Sequence, residues 1–263
     1  GNNIKFWKSH EPGGRWRWIL YDTDFGFGIW GPNNYQRNTL AFATNPNGPS
    51  WPNPPWSTLL LRKFLNNVSF KHEFILKGSD MLNTNFLPEV VTEKLTIARN
   101  AIQSGVIDHF ARWNQNNIGH WNSEFEVMEN FGELRPTYLR SHMRSKFGLP
   151  QEQPLTIQVE PENAGVIRVH SLTPRELPWT GYYFPNVPLD IEAIAASGFE
   201  FSYWETHPSE DATLLLNLSS PLNLTAVFTA LPGGDAGIVI NEINYNSESA
   251  TDCKDWLELY NAT

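Results

Sequence analysis

Residues 16–28 read Trp-Arg-Trp-Ile-Leu-Tyr-Asp-Thr-Asp-Phe-Gly-Phe-Gly, and they decide the fold of the first part of the chain. An apolar strand runs into two carboxylates, Asp22 and Asp24, and then into two glycines. Alternate residues of a strand share a face, so both carboxylates project to one side unless the glycines bend the chain first. Two like charges this close repel each other and require a cation or a basic partner, and Mg²⁺ accepts carboxylate oxygens. The stretch therefore predicts a strand that ends in a candidate metal site.

The residues before this stretch predict a β-hairpin. A short strand over residues 4–8 is followed by a turn-rich segment, residues 9–14, and by a return strand over residues 15–21. The two ends of a hairpin are adjacent, so Asn3 is expected to lie beside Asp22.

Protein kinases use a comparable pair of sites. A metal-binding asparagine and the aspartate of an Asp-Phe-Gly segment meet at their magnesium ions. Asn3 and the Asp22–Gly26 segment follow the same order here. Which aspartate is the main metal ligand stays open, because Asp24 is the aspartate of the Asp-Phe-Gly sequence that kinases share, whereas Asp22 lies closer to the strand end.

Several separated blocks of the first 150 or so residues resemble one family. They are residues 2–7, 15–28, 61–67, 70–74 and 135–136, ending near residues 148–149. In this order they resemble the spore-coat protein H (CotH) kinase family. The resemblance implies an atypical kinase fold in an exported bacterial protein that transfers phosphate from ATP to protein serine or threonine. It also implies Mg²⁺ or Mn²⁺ at Asp22 and Asp24, assisted by Asn3, with the same three residues holding the nucleotide through the metal.

The start of the chain departs from this family pattern. Family members carry glycine-rich and lysine elements for ATP in a preceding region, and often have Asp-Trp-Pro-Gly-Asn-Asn where this chain begins Gly1-Asn2-Asn3. The catalytic-loop aspartate would then lie upstream of Gly1. We therefore expect a fragment that corresponds to the C-terminal lobe of a kinase and is inactive by itself.

Composition excludes several functions. The 263 residues carry a net charge of −9, which disfavours nonspecific binding to nucleic acid or to an anionic membrane surface. No apolar run approaches the roughly 18 residues that a membrane span needs. Cys253 is the single cysteine, so no disulfide within the chain and no thiolate metal site is expected. The seven histidines show no metal-ligand spacing.

Apolar periodicity predicts an α+β fold class whose first domain, residues 1–150, is mostly helical after the hairpin. Residues 29–56 are rich in Pro, Asn, Gly and Trp and predict a long irregular loop, either a packed surface loop or the counterpart of an activation segment. Helices are expected over residues 57–66, 69–82, 87–103 and 106–113. A capping box at Ser123 predicts a helix from about residue 124, Pro136 should break it, and Gly148 should end the last helix.

Period-two patterns follow and predict β structure. Residues 151–231 form a small β domain with expected strands at residues 155–159, 165–169, 189–193 and 222–228. This domain resembles bacterial repeat modules of the internalin B-repeat type, and Phe199, Phe201 and Trp204 are expected in its core. Residues 232–263 resemble the opening two strands of a lamin-tail domain, which is an incomplete part of an immunoglobulin-like sandwich of about 100 residues.

Two functions compete at this stage. The first is a kinase-like phosphotransferase that acts on ATP and a protein substrate. The second is a secreted or cell-surface adhesion protein whose kinase-like lobe and β modules form a scaffold for extracellular partners. The carboxylate pair favours the first function, and the β modules favour the second.

Overall fold

The structure is a computed structural model that describes residues 5–19, 26–29, 31–48, 53–113, 117–232, 238–244 and 256–261. The chain divides into two compact units, Gly1–Gln151 and Glu152–Thr263. The fold is mixed α+β, with a largely helical first unit and a second unit built from strands. The expected fold class is therefore confirmed.

The first unit opens with an antiparallel hairpin and continues with helices. The strands are β1 (Lys5–Lys8) and β2 (Trp16–Ile19), and the helices are a 3₁₀ turn (Asn34–Gln36), α1 (Thr39–Ala43), α2 (Leu59–Phe64), α3 (Val68–Leu82), α4 (Pro88–Trp113) and α5 (Ile118–Phe147). The hairpin and the first two of the long predicted helical segments, at residues 57–66 and 69–82, agree with the sequence patterns. The segment expected to be irregular, residues 29–56, contains both the 3₁₀ turn and α1.

Helix α4 corrects one expectation. The sequence predicted two helices, residues 87–103 and 106–113, but one continuous helix extends from Pro88 to Trp113. A single glycine, Gly105, lies inside it with no atom within 4 Å of where a Cβ would stand. Glycine costs a helix interior about 1 kcal/mol relative to alanine, which is too little to end a long helix.

Helix α5 corrects two more expectations. It begins at Ile118, where the Asn117 side chain accepts a hydrogen bond from the His120 N–H, rather than near residue 124. The Ser123 hydroxyl instead donates to the His120 carbonyl inside the helix, at 2.8 Å. Pro136 also lies inside the helix and does not break it. An interior proline removes one backbone hydrogen bond and costs about 3 kcal/mol, which packing along a 30-residue helix offsets.

The end of α5 follows the sequence prediction. Gly148 adopts a left-handed conformation with φ of 64°, and its N–H donates to the Arg144 carbonyl. This conformation costs glycine nothing because glycine has no Cβ.

The second unit contains two main sheets. A four-stranded sheet has the order β5-β3-β9-β7 and a three-stranded sheet has the order β4-β6-β8. Their strands are β3 (Gln153–Glu160), β4 (Gly165–Val169), β5 (Trp179–Tyr183), β6 (Leu189–Ala195), β7 (Phe199–Trp204), β8 (Thr213–Leu216) and β9 (Leu222–Ala230). In β3, Leu155, Ile157 and Val159 are buried and alternate with more exposed neighbours, as period two requires.

Three strands of this unit, β5, β7 and β8, were not predicted as strands. The first contains Gly181, the second is rich in aromatic residues on both faces, and the third is a run of leucines without alternation. Of the three aromatic residues expected in the core, Trp204 is fully buried and donates its indole N–H to the Asp211 carbonyl at 2.9 Å, whereas Phe199 and Phe201 are half-buried. The Phe201 ring packs against the Trp204 ring, at 5.3 Å between centroids.

A last pair of strands forms its own antiparallel sheet. Strands β10 (Ile238–Asn244) and β11 (Trp256–Asn261) pair with each other, with a bulge between Ile240 and Glu242. The apolar side chains of Ile240, Ile243 and Leu259 are more than half exposed. The sequence resemblance implied two strands within residues 232–263, and both strands lie in that range.

Two glycines of the helical unit should respond to substitution with opposite signs. Gly105→Ala adds a methyl group in open space and should raise the free energy of unfolding by about 0.5–1 kcal/mol, because alanine is the better helix former. Gly132→Ala would place its Cβ 2.7 Å from the Cγ1 atom of Val91 in α4 and should lower this free energy by about 1–3 kcal/mol. Urea denaturation followed by far-ultraviolet circular dichroism measures both. Equal shifts in the two variants would contradict the packing of α4 against α5 at Gly132.

Candidate functional site

The three site residues predicted from sequence, Asn3, Asp22 and Asp24, lie outside the described residues. The structure does describe the hairpin that carries them. Its register places Lys5 opposite Ile19 at the open end. Asn3 is two residues before Lys5 in sequence, and Asp22 is three residues after Ile19. The proximity of Asn3 and Asp22 therefore stays a prediction, for which the hairpin register provides the basis.

The turn that begins at Gly26 packs on α5. Phe27 has a positive φ of 49° and Gly28 one of 85°. The Phe27 ring lies 5.4 Å from the Phe131 ring of α5, between centroids. A Cβ at Gly28 would stand 3.0 Å from the Cγ1 atom of Val127, so only glycine suits both the backbone angle and this close approach.

Arg135 fixes the next part of this segment to the same helix. Its Nη1 group donates to the carbonyls of Tyr35 and Arg37, at 2.8 and 2.7 Å, and its Nη2 group donates to the Thr39 hydroxyl at 2.7 Å. Val127, Phe131 and Arg135 are spaced four residues apart and so share one face of α5. This face contacts the described chain at Phe27 and Gly28 and again between Tyr35 and Thr39, at the start of α1.

An apolar cavity of about 300 Å³ lies behind the turn. It is bounded by Gly26 and Phe27 on one side and by side chains of α3, α4 and α5 on the other, including Leu82, Val91 and Phe131. Its lining has no acidic group.

The electrostatics of this region centre on Arg135 and His142. Burial lowers the pKa of Arg135, and the guanidinium nonetheless stays charged at neutral pH. Burial, and secondarily the charge of Arg135, also lowers the pKa of His142. Within the described residues, the buried Nδ1 atom of His142 has no hydrogen-bond partner. Both effects disfavour the cationic form of the imidazole.

The segment between this turn and α2 is also tied down where it is described. The side-chain amide of Asn53, which is buried, donates to the Phe42 carbonyl at 2.7 Å, and the Ser57 hydroxyl donates to Asn53 Oδ1 at 3.1 Å. The Arg62 guanidinium donates to the Pro55 carbonyl. These contacts make the described parts of residues 29–56 a packed segment.

In the sequence, Arg135 belongs to a block that resembles the family, and no role for it follows from that block alone. The sequence feature that could have indicated its role is its position directly before Pro136 and four residues after Phe131, the spacing of one helix face.

No group of three His, Cys, Asp or Glu residues that could hold a metal occurs in the described ranges. In the same ranges, no helix has the length and apolarity needed to cross a bilayer.

Comparison with known proteins agrees with this architecture. A family model described as CotH kinase protein matches residues 1–139, which is more than half of the chain and includes the hairpin, the glycine turn and Arg135. The chain therefore belongs to the CotH kinase family. No curated protein and no solved structure matches it.

Arg135→Lys should loosen the anchored segment. Lysine cannot reproduce three hydrogen bonds in a planar fork, so the carbonyls of Tyr35 and Arg37 lose their donor, at a cost of about 2–3 kcal/mol. Hydrogen exchange should accelerate at the amides of residues 34–44. The control is Arg112→Lys, at an exposed arginine of α4. Equal exchange in both variants would contradict the anchoring role.

His142 should make the helical unit less stable in acid. Its pKa is lower in the folded chain than the ordinary 6.5, so the unfolded chain binds the proton more readily. The stability that depends on neutral His142 is complete above about pH 6.5 and declines as pH falls towards the folded pKa. His142→Asn should flatten the loss of stability between about pH 8 and pH 5.5, and exposed His109→Asn should not. Urea denaturation at several pH values measures this. Parallel curves for wild type and His142→Asn would refute it.

Proposed function

We propose that the chain is the metal-binding lobe of a CotH-type protein kinase that transfers phosphate from ATP to serine or threonine of a protein. Family membership over residues 1–139 supports this proposal most strongly. The hairpin register adds support, because it brings the flanks of Asn3 and Asp22 together.

The donor set suits the metal. Asp22 and Asp24 supply carboxylate oxygens and Asn3 an amide oxygen, and Mg²⁺ and Mn²⁺ prefer hard oxygen ligands. Mg²⁺ is usually held by one or two carboxylates together with substrate phosphates and water. When bound, the metal would neutralise charge on the ATP phosphates. The role of the aspartates is then to fix its position, with Asp22 or Asp24 as the main ligand.

The reaction itself is a displacement at phosphorus. The bond between the γ-phosphorus and the bridging oxygen breaks, ADP leaves, and a bond to the acceptor hydroxyl oxygen forms as that hydroxyl loses its proton. Catalysis of this kind is mostly positioning and electrostatic stabilisation. The anchored turn at Phe27 and Gly28 supports it by limiting the motion of the chain that follows the aspartates.

The second unit supports the placement of the protein outside the cell. We assign residues 151–231 to a bacterial repeat module of the internalin B-repeat type and residues 232–263 to a lamin-tail-like segment, from their sequence resemblance. Both assignments accord with strands in those ranges. The corresponding location is outside a bacterial cell, either secreted or at the cell surface.

A scaffold function is the second candidate. It is favoured by the β unit, which makes up more than two fifths of the chain. In this alternative the kinase-like lobe supports extracellular partners and performs no transfer.

Metal binding separates the two candidates. Mn²⁺ titrated into the chain and followed by electron paramagnetic resonance should bind weakly at one site. Asp22→Asn combined with Asp24→Asn should weaken this binding at least about tenfold, since two charged ligands are lost. Asp108→Asn, at an exposed aspartate of α4, is the matched control.

Unchanged Mn²⁺ binding in the double variant would refute the assigned ligands. Transfer of labelled phosphate from ATP to a library of serine and threonine peptides by the full-length gene product tests the reaction. Metal binding without any transfer would favour the scaffold.

A further inference from the structure

A second cavity in the helical unit is lined by cations. It has a volume of about 420 Å³ and receives Arg62 and Lys63 from α2, Lys71 from α3 and Lys146 from α5. Its lining contains no carboxylate. We propose that this basic cavity binds a phosphate group, either on a small phosphorylated molecule or on a phosphorylated side chain of a peptide. The inference needs neither the metal site nor phosphate transfer, so it does not rest on the proposed function.

The positive charge of the cavity is not neutralised locally. Within the described residues, Lys63, Lys71 and Lys146 form no ion pair. The surroundings are also basic: residues 1–151 contain 16 Lys and Arg against 12 Asp and Glu, whereas residues 152–263 contain 3 against 16. Although the whole chain is acidic, its first unit therefore carries more positive than negative side chains. Four cations around one cavity repel one another, and an anion relieves that repulsion.

Helix dipoles explain only part of this arrangement. Arg62 and Lys63 lie in the last turn of α2, and Lys146 lies in the last turn of α5. Cations stabilise the C-terminal ends of helices, so these three residues have a structural reason for their positions. Lys71 lies at the end of the first turn of α3, where the dipole disfavours a cation. It is nevertheless half-buried in the cavity wall, and the dipole gives no reason for it.

The cavity also offers geometry suited to phosphate. The Arg62 guanidinium is oriented through its Nη2 group by the Pro55 carbonyl and through Nε by the Thr58 hydroxyl. Its Nη1 group has no acceptor among the described residues, and this leaves one edge of the fork for a ligand oxygen. Ammonium groups supply further charge-assisted hydrogen bonds, and the amide of Asn66 adds a neutral donor. The volume lies at the small end for ligand sites, which favours a compact anion.

Binding of two probes to the metal-free chain tests the inference. Inorganic pyrophosphate represents a small phosphorylated molecule, and a phosphoserine pentapeptide flanked by glycines represents a modified protein. Calorimetric titrations are made with a chelator present, so that a metal at the aspartates cannot contribute. We expect saturable binding of at least one probe, weakened by added salt. The probe that binds more tightly identifies whether the phosphate belongs to a small molecule or to a modified protein. The unphosphorylated pentapeptide should not bind.

Charge removal then locates the site. Lys71→Gln should weaken binding about tenfold, which corresponds to one charge-assisted contact, and Lys63→Gln serves as a second variant if the first fails to fold. Lys94→Gln, at an exposed lysine of α4 outside the cavity, should change the affinity less than about twofold. No saturable binding of either probe would overturn the inference. Equal weakening by Lys94→Gln and by the folded cavity variants would overturn it as well.

Discussion

The three hydrogen bonds of the Arg135 guanidinium are the interaction on which the helical unit most depends. They join α5 to the backbone at Tyr35 and Arg37 and to the hydroxyl of Thr39. Backbone carbonyls that make no hydrogen bond within a helix or sheet need other donors, and each such hydrogen bond contributes about 1 kcal/mol. One planar side chain supplies several donors at once, at the small entropic cost of a preorganised fork. The arginine thereby turns an irregular segment into a packed one.

The same helix face carries this constraint back towards the candidate metal site. One turn of α5 before Arg135, Phe131 contacts Phe27, and a further turn back Val127 lies against Gly28. The chain that follows the two aspartates is therefore held against α5 from Phe27 onwards. The hairpin fixes the register of the two strands that precede them. Such anchoring on both sides is how a fold limits the positions that carboxylates can take. In phosphate transfer, where positioning supplies most of the catalysis, that restriction would matter more than any added chemical group.

Local sequence patterns predicted the elements that depend on local physics. Period-two alternation located the hairpin and strand β3, and Gly148 marked the end of α5 because glycine adopts the left-handed backbone angle of that position without steric cost. The patterns failed where packing over a long helix outweighs a local penalty, at Gly105 in α4 and at Pro136 in α5. The candidate site shows the same difference between residues that a local pattern identifies and residues whose role depends on long-range packing. A short motif picked out Asp22 and Asp24, but the role of Arg135 depends on acceptors about 100 residues earlier, which no local pattern contains.

The most direct test is a crystal of the chain soaked in Mn²⁺, with its position read from anomalous scattering. The account predicts one strong peak within coordination distance, about 2.0–2.2 Å, of oxygens of Asp22 or Asp24, with the Asn3 amide facing it. It also predicts that the Phe27 turn stays against Phe131. A map in which both aspartates are clearly placed but no peak lies near them would contradict the account. So would a peak held only by residues far from the end of the hairpin.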